Sequence, residues 1–189
     1  MQKYYTGVGS REIPEDVFNI FRMVGRTLAR KGFILRSGSA DGSDRAFELG
    51  ASDVDPNLTE IYLPNSDFKS YRRIVGVNYL PLVEGEIENA EKIYSTPTNK
   101  HKDGIMPWFN KIQRYNQEFH ARNVLQVTGR NGVDSSFCIY YAPVVNGDIV
   151  GGTRSAVELC RSKGIPTYNL FHNHVKETFL ERLKENGWF

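Results

Sequence analysis

Short apolar segments alternate with amphipathic helices and small-residue loops, and this alternation constrains the fold more than any other feature of the sequence. Residues 3–8, 33–36 and 60–63 are short and β-prone. Between the first two, Pro14 suits a first helical position, apolar residues recur at helical spacing, and Gly32 suits a helix end. A second helix follows residue 44. This β-α-β-α-β order predicts a parallel sheet covered by helices.

The same rhythm returns after a more polar middle segment, residues 64–122, whose best predicted helix spans 107–122. The strands predicted after it are residues 123–129, 136–142 and 165–170. A helix opens at Thr153 and ends at Gly164, and another closes the chain. We therefore predict the α/β class: a Rossmann-like, mostly parallel sheet flanked by helices. It forms one domain over residues 1–189, with a partly helical insertion at about 64–122.

Composition indicates a soluble globular protein, with 40% hydrophobic and 24% charged residues in 189. A net charge of +2 is well below that of a dedicated nucleic-acid binder. The start of the chain does not resemble a signal peptide, and no apolar run is long enough to span a membrane. Cys138 and Cys160 are not spaced as metal ligands, and His172 and His174 lack an acidic partner, so we expect no metal site. The expected location is the cytoplasm, that of the host if the chain is viral.

Three loops of small residues, 7–11, 37–44 and 151–154, each join a predicted strand to a helix. Such loops meet at the carboxyl edge of a parallel sheet, where ligands bind. Glycines allow the backbone to approach a phosphate, and helix starts supply N–H donors. One such loop would indicate only a tight turn, whereas three together favour a phosphate-bearing ligand. The candidate ligand-binding residues in these loops are Gly9, Ser10, Arg11, Ser37, Gly38, Ser39, Asp41, Gly42, Asp44, Gly151, Gly152, Thr153 and Arg154.

The glycine pattern excludes two common nucleotide-binding motifs. Gly7-Val8-Gly9 lacks the third glycine of a dinucleotide fingerprint, and no Gly-Lys-Ser or Gly-Lys-Thr occurs. These absences argue against NAD oxidoreductases and P-loop ATPases. We predict no cofactor.

Several charged side chains in these loops have both a functional and a structural interpretation. Arg11 could hold a phosphate in bidentate fashion, or it could be a surface charge. Asp41 and Asp44 could bind ribose hydroxyls, although Asp at a helix start is also an ordinary cap. Glu48 could stabilise an oxocarbenium-like centre if the chain is an enzyme, or it could be a solvated helix residue. All four remain candidates.

Residues from the middle segment could reach the same edge of the sheet. Arg122 and Asn123 precede a predicted strand and are candidate ligand-binding residues. Trp108, Tyr140 and Tyr141 could stack on a base, but aromatics at these spacings more often belong to the core.

The segments GVGSREIP, LRSGSADGSDRAFELGA and GGTRSAVELCRSKGIPTYNL together resemble the SLOG superfamily. This superfamily includes the DNA-processing protein A family and the "lonely guy" phosphoribohydrolases. The chain is most similar to the small bacterial and bacteriophage proteins that resemble DNA-processing protein A, which also tend to show an Arg-Asn pair, here Arg122-Asn123. The resemblance covers the chain apart from much of residues 64–122. It implies a Rossmann-like fold, a nucleotide-type ligand and a homo-oligomer, a dimer or higher.

The chain departs from the phosphoribohydrolases at their Pro-Gly-Gly-x-Gly-Thr-x-x-Glu motif, which carries catalytic residues. In the matching stretch, residues 149–158, the glycine spacing differs and Glu158 is displaced. We expect Glu158 at the surface, and the resemblance does not decide whether the chain is an enzyme.

Three functions are open at this stage. The leading one is binding of a nucleotide-derived small molecule, of ADP-ribose or cyclic-nucleotide type, by a sensor or sequestering protein. The second is a nucleoside 5′-monophosphate N-glycosidase that uses Glu48 with Arg11 as phosphate clamp. The third is single-stranded DNA binding, ranked last because the charge is near neutral. The expected partners are the small molecule and further copies of the chain; no membrane is expected, and nucleic acid is the least favoured partner.

Overall fold

A single parallel sheet organises the computed structural model, which describes residues 2–185 and 187. Its strands are β1 (Lys3–Gly9), β2 (Phe33–Ser37), β3 (Thr59–Leu63), β4 (Asn78–Pro81), β5 (Cys138–Tyr141) and β8 (Thr167–Asn169). They lie in the order β4-β3-β2-β1-β5-β8, and each neighbouring pair is parallel. Two short strands, β6 (Val144–Val145) and β7 (Asp148–Ile149), form a separate antiparallel pair.

Helices cover both faces of this sheet. They are α1 (Glu15–Arg30), α2 (Ser43–Ser52), α3 (Glu86–Ser95), α4 (Arg114–Thr128), α5 (Thr153–Ser162) and α6 (Asn173–Glu185). In β5, Ile139 packs in a buried cluster with residues of α1 and α2, whereas Cys138 and Tyr140 pack in a second cluster with residues of α3, α4 and α5. The predicted α/β, Rossmann-like class is confirmed. None of the helices among the described residues is both long enough and apolar enough to cross a bilayer.

Two predictions for the middle of the chain are wrong. Residues 123–129 were predicted as a strand, but residues 123–128 form the last turns of α4 and Gly129 follows its end; the helix predicted from Pro107 begins only at Arg114. Ala121 to Val127 are all buried, so this stretch lacks the usual alternation of buried and exposed sides that reveals a helix. Residues 64–122 also supply the edge strand β4 and helix α3, which the sequence did not predict.

The strand order reverses beside β1. From β1 the chain adds β2, β3 and β4 on one side, and it then returns to place β5 and β8 on the other. The loops that leave the carboxyl ends of β1 and β5 therefore diverge toward α1 and α5. In open α/β sheets the crevice at such a reversal is where ligands bind.

Candidate functional site

A cavity of about 1210 Å³ lies at this reversal. Its walls come from residues 9–12 after β1, Asp44 with residues 40–41 after β2, and residues 151–153 before α5. Residues 68–69 and one side of α4 complete it. The three loops predicted from their small residues therefore meet at one site.

Most of the predicted ligand-binding residues line this cavity. Those that do so are Gly9, Ser10, Arg11, Asp41, Asp44, Arg122, Asn123, Gly151, Gly152 and Thr153. Those outside its lining are Ser37, Gly38, Ser39, Gly42 and Arg154. Arg154 instead lies 3.6 Å from the Asp148 carboxylate, at the β6–β7 pair.

The residues of the β2–α2 loop that miss the cavity hold its walls together. Ser37 Oγ donates to the carbonyl of Gly7 at 2.6 Å. Gly38 accepts a hydrogen bond from the Arg122 guanidinium through its carbonyl. A Cβ at Gly42 would lie 2.3 Å from the carbonyl oxygen of Arg11, so only glycine lets these two loops touch. Their contribution to the site is geometric.

Asp44 and Arg122 form the floor of the cavity. Asp44 is 3% exposed, and its carboxylate lies 3.9 Å from Arg122 Nη2. Burial raises the pKa of Asp44 to about 6, against the opposing effect of the Arg122 charge. The Arg122 guanidinium also lies 5.4 Å from the ring centre of Phe68 and 5.0 Å from that of Phe119. The floor thus combines a carboxyl group, a guanidinium and two aromatic rings.

A second guanidinium reaches the same cavity from β1. Arg11 is exposed and forms no salt bridge with any other residue that the structure describes. Burial lowers the pKa of Arg122, and the nearby charge of Arg11 adds to this effect. Two positive charges that destabilise each other across an open cavity would both be relieved by an anion.

The start of α5 adds positive potential from the other side. Its first turn has no acidic residue and no side-chain cap. A Cβ at Gly151 or Gly152 would meet no atom within 4 Å, so packing does not require these glycines. Unpaired N–H groups at a helix start, with free space in front of them, suit a bound phosphate.

Asp41 is paired at the rim and leaves little negative charge there. Lys69 Nζ contacts its carboxylate at 2.7 Å, and Arg72 binds the other oxygen. The hydrogen bond from Lys69 is the main cause that lowers the pKa of Asp41, with Arg72 contributing further. These contacts also attach residues 69–72 to the β2–α2 loop.

His120, which was not among the predicted site residues, lies in the cavity wall. His120 Nδ1 is 3.0 Å from Ser155 Oγ, which also accepts a hydrogen bond from Asn123 Nδ2 at 3.0 Å. Asn123 Nδ2 also contacts the carbonyl of Gly152 at 3.0 Å. Burial lowers the pKa of His120 to about 4, so the ring is neutral at pH 7.

Other lining residues were also missed. Among them are Phe68, Lys69, Tyr115, Phe119 and Gln126. Tyr115, Phe119, Arg122 and Gln126 recur at helical spacing and would have formed one stripe, had residues 123–126 been assigned to a helix. Because residues 123–129 were predicted as a strand, the cavity wall formed by α4 was not predicted.

Two glutamates lie elsewhere than expected. Glu48 is fully buried outside the cavity lining, where it accepts hydrogen bonds from Ser39 Oγ at 2.9 Å and from Tyr79 at 2.5 Å. The side of α2 that carries Glu48 was expected to contact a ligand, but it points into the protein interior. Hydrogen bonds from Ser39 and Tyr79 stabilise the carboxylate there.

Glu158 is buried rather than on the surface. Burial raises the pKa of Glu158, but hydrogen bonds from His101, Lys100 and Arg161 outweigh that effect and lower it to about 2. These three partners explain why a charged side chain is tolerated in the interior.

The aromatic candidates divide between core and surface. Tyr140 is 2% exposed and belongs to the core, whereas Trp108 is 47% exposed beside His120. No group of three His, Cys, Asp or Glu side chains in the described part of the chain could hold a metal ion.

Comparison with known proteins supports the fold. No known family model matches the chain, and no curated protein matches its sequence. Solved structures do match its fold. One is DNA processing protein A from Helicobacter pylori, a protein with a unique single-stranded DNA binding mode. It matches with a TM-score of 0.55 and 19% identity over 88% of this chain.

A second solved structure is the structural-genomics target TM1055, with a TM-score of 0.51 and 15% identity over 88% of this chain and 72% of that one. At these identities the likeness establishes a fold like that of DNA-processing protein A, in agreement with the sequence resemblance. This chain spans 63% of the Helicobacter pylori protein's length. Since that neighbour binds single-stranded DNA, the expectation that nucleic acid is the least favoured partner gains no support from it.

Proposed function

We propose that the cavity binds a nucleotide-derived small molecule that carries phosphate, of ADP-ribose or cyclic-nucleotide type. The chain would act as a sensor or sequestering protein in the cytoplasm. The observation that carries this proposal is the convergence of Arg11, Arg122 and the uncapped start of α5 on one open space. An anion at the rim would bind Arg11 and the start of α5 directly and would be attracted by the charge of Arg122 below them.

The remaining walls suit the rest of such a ligand. Phe68 and Phe119, 5.4 Å apart in an edge-to-face pair, offer a surface against which a base can pack. The volume of about 1210 Å³ exceeds the range of about 300–1,000 Å³ usual for small-molecule pockets. A ligand larger than a mononucleotide would fill it better.

The N-glycosidase alternative receives less support, because Glu48, its assigned carboxylate, is buried outside the cavity. Single-stranded DNA remains the second candidate. Trp108 and Tyr115, 47% and 61% exposed, could extend a stacking surface beyond the cavity. The fold neighbour that binds single-stranded DNA also favours it.

A thermal-shift screen with ADP-ribose, cyclic dinucleotides and AMP tests the leading proposal, followed by mass spectrometry of each ligand after incubation. A bound ligand raises the melting temperature by linkage. Arg11→Ala should abolish the shift. Arg30→Ala, an exposed arginine at the other end of α1, should leave it unchanged. No shift with any of these compounds would refute the proposal, and recovery of free base plus ribose phosphate would replace binding with hydrolysis.

Two further measurements test the remaining parts of the proposal. An oligodeoxynucleotide that binds with steep salt dependence, while the small molecules do not bind, would favour the DNA alternative. We also expect a homo-oligomer, which light scattering coupled to gel filtration measures directly. A monomer at micromolar concentration would contradict that expectation.

A further inference from the structure

The cavity has two ends of different chemistry. At the rim, Arg11 and the start of α5 present positive charge with no acidic residue in that turn. At the floor, the Asp44 carboxyl group is close to Arg122. A phosphate suits the rim, and the floor requires a different part of the ligand.

Asp44 has acceptor capacity that the protein does not fill. Its carboxylate contacts the backbone N–H of Ala40 at 3.4 Å and that of Gly9, while Arg122 Nη2 stays 3.9 Å away, beyond hydrogen-bond distance. No side chain among the described residues donates a hydrogen bond to it, although an ionised carboxylate offers about four acceptor sites. Glu48, from the next turn of α2, adds a like charge. A phosphate would be repelled here, whereas hydroxyl groups could donate.

The position of Arg122 indicates which part of a nucleoside would meet this carboxylate. One side of the Arg122 guanidinium faces Asp44, and its plane lies near the rings of Phe68 and Phe119. Asp44 and the aromatic wall therefore adjoin the same side chain. A nucleoside whose base packs on that wall brings its sugar hydroxyls toward Asp44, and its phosphate is free to extend to the rim.

We infer that Asp44 selects ribose over 2′-deoxyribose by accepting hydrogen bonds from the vicinal hydroxyls of the sugar. This inference rests on the proposed function and narrows the ligand class to ribonucleotides with free 2′- and 3′-hydroxyls, that is, the ADP-ribose type rather than 3′,5′-cyclic nucleotides. Loss of one hydrogen bond to a charged group weakens binding by about 10- to 100-fold. The same preference separates a ribonucleotide ligand from DNA, which lacks the 2′-hydroxyl.

Isothermal titration with two matched pairs tests the inference: ADP against 2′-deoxy-ADP, and GDP against 2′-deoxy-GDP. We expect the wild type to bind at least one ribonucleotide about 10- to 100-fold more tightly than its deoxy partner. Asp44→Asn should reduce this ratio to less than about threefold, because the charged acceptor is lost. Asp53→Asn, at the far end of α2 and outside the cavity lining, should retain it, since Asp53 pairs with Arg22 and Arg26.

The possible outcomes distinguish failure of the role inferred for Asp44 from failure of the proposed function. Equal binding of ribo and deoxy partners by the wild type would overturn the role of Asp44 and leave the proposed function intact. Binding of none of the four nucleotides would overturn the inference about Asp44, whereas the proposed function is refuted only if ADP-ribose, cyclic dinucleotides and AMP also fail to raise the melting temperature. A ratio that persists in Asp44→Asn, with a melting curve that shows a folded protein, would assign the preference to another residue and refute the inference. The ratio of ribonucleotide to deoxyribonucleotide affinity in the wild type tests the inference by itself. The inference therefore remains testable even if Asp44→Asn does not fold.

Discussion

Replacement of Gly152 by alanine should raise the free energy of unfolding and lower the affinity of the cavity for its ligand. Gly152 precedes α5 with φ −64° and ψ −21°, a right-handed conformation that alanine adopts readily. An added Cβ would meet no atom within 4 Å. Gly-to-Ala changes at compatible positions stabilise proteins by about 0.4–1 kcal/mol, chiefly by restricting the unfolded chain. For a chain of this size that corresponds to a rise in Tm of about 1–4 °C.

Gly152 lines the cavity, so the same methyl group would take up space beside the start of α5. If a phosphate binds there, the loss of charge-assisted hydrogen bonds should weaken binding by about 10- to 100-fold. Chemical denaturation measures the first effect, and titration with ADP-ribose measures the second. Gly151→Ala is the contrasting variant, because its φ of +89° should make alanine destabilising by about 1–2 kcal/mol. A stable Gly152→Ala variant with unchanged affinity would refute the placement of the phosphate at α5.

Three further predictions concern the stability of the protein in the absence of any ligand. Because burial raises the pKa of Asp44 to about 6, its stabilising contribution is complete below pH 4 and is lost as the pH rises through 6. Asp44→Asn should therefore gain stability relative to the wild type from pH 4 to 7.5, by up to about 3 kcal/mol in urea titrations. Glu158, with its pKa lowered to about 2, stabilises above pH 4.5, so Glu158→Gln should cost about 1–3 kcal/mol at pH 7 and progressively less toward pH 2. In Gly38→Ala the new Cβ would lie 2.3 Å from Gln126 Nε2 and 2.5 Å from Arg122 Nη1, so the variant should lose about 1–3 kcal/mol in the same titrations.

Each of these has a clear contrary result. A stability difference between Asp44→Asn and wild type that does not change with pH would show that this carboxyl group titrates normally. A Glu158→Gln penalty that persists undiminished at pH 2 would attribute its cost to shape rather than charge. A Gly38→Ala variant as stable as the wild type would mean that Arg122 and Gln126 can move aside.

The sequence predicted the half of the site that depends on local signals. The loops after β1 and β2 and before α5 combine small residues with the start of a helix, a pattern visible within ten residues. The walls from α4 and residues 68–69 carry no such pattern. Ala121 to Val127 are all buried in α4, so the exposed polar side that marks most helices in a sequence is absent there.

The buried charges could not be predicted for a different reason. Glu158 is satisfied by Lys100 and His101, more than fifty positions earlier in the chain. Glu48 is satisfied in part by Tyr79, on a strand that was not predicted. Whether a carboxylate lies inside or outside depends on partners of this kind, and only the assembled fold brings them together.

The burial of α4 has a consequence for how the cavity receives a ligand. Amide protons in its second half should exchange with solvent only when the whole domain unfolds, because every residue from Ala121 to Val127 is buried. The floor residue Arg122 is therefore already in place before any ligand arrives, and little ordering entropy is lost there. That loss falls instead on the solvent-exposed Arg11 at the rim. Hydrogen exchange should accordingly report ligand binding in the loop after β1 and remain unchanged along the buried part of α4.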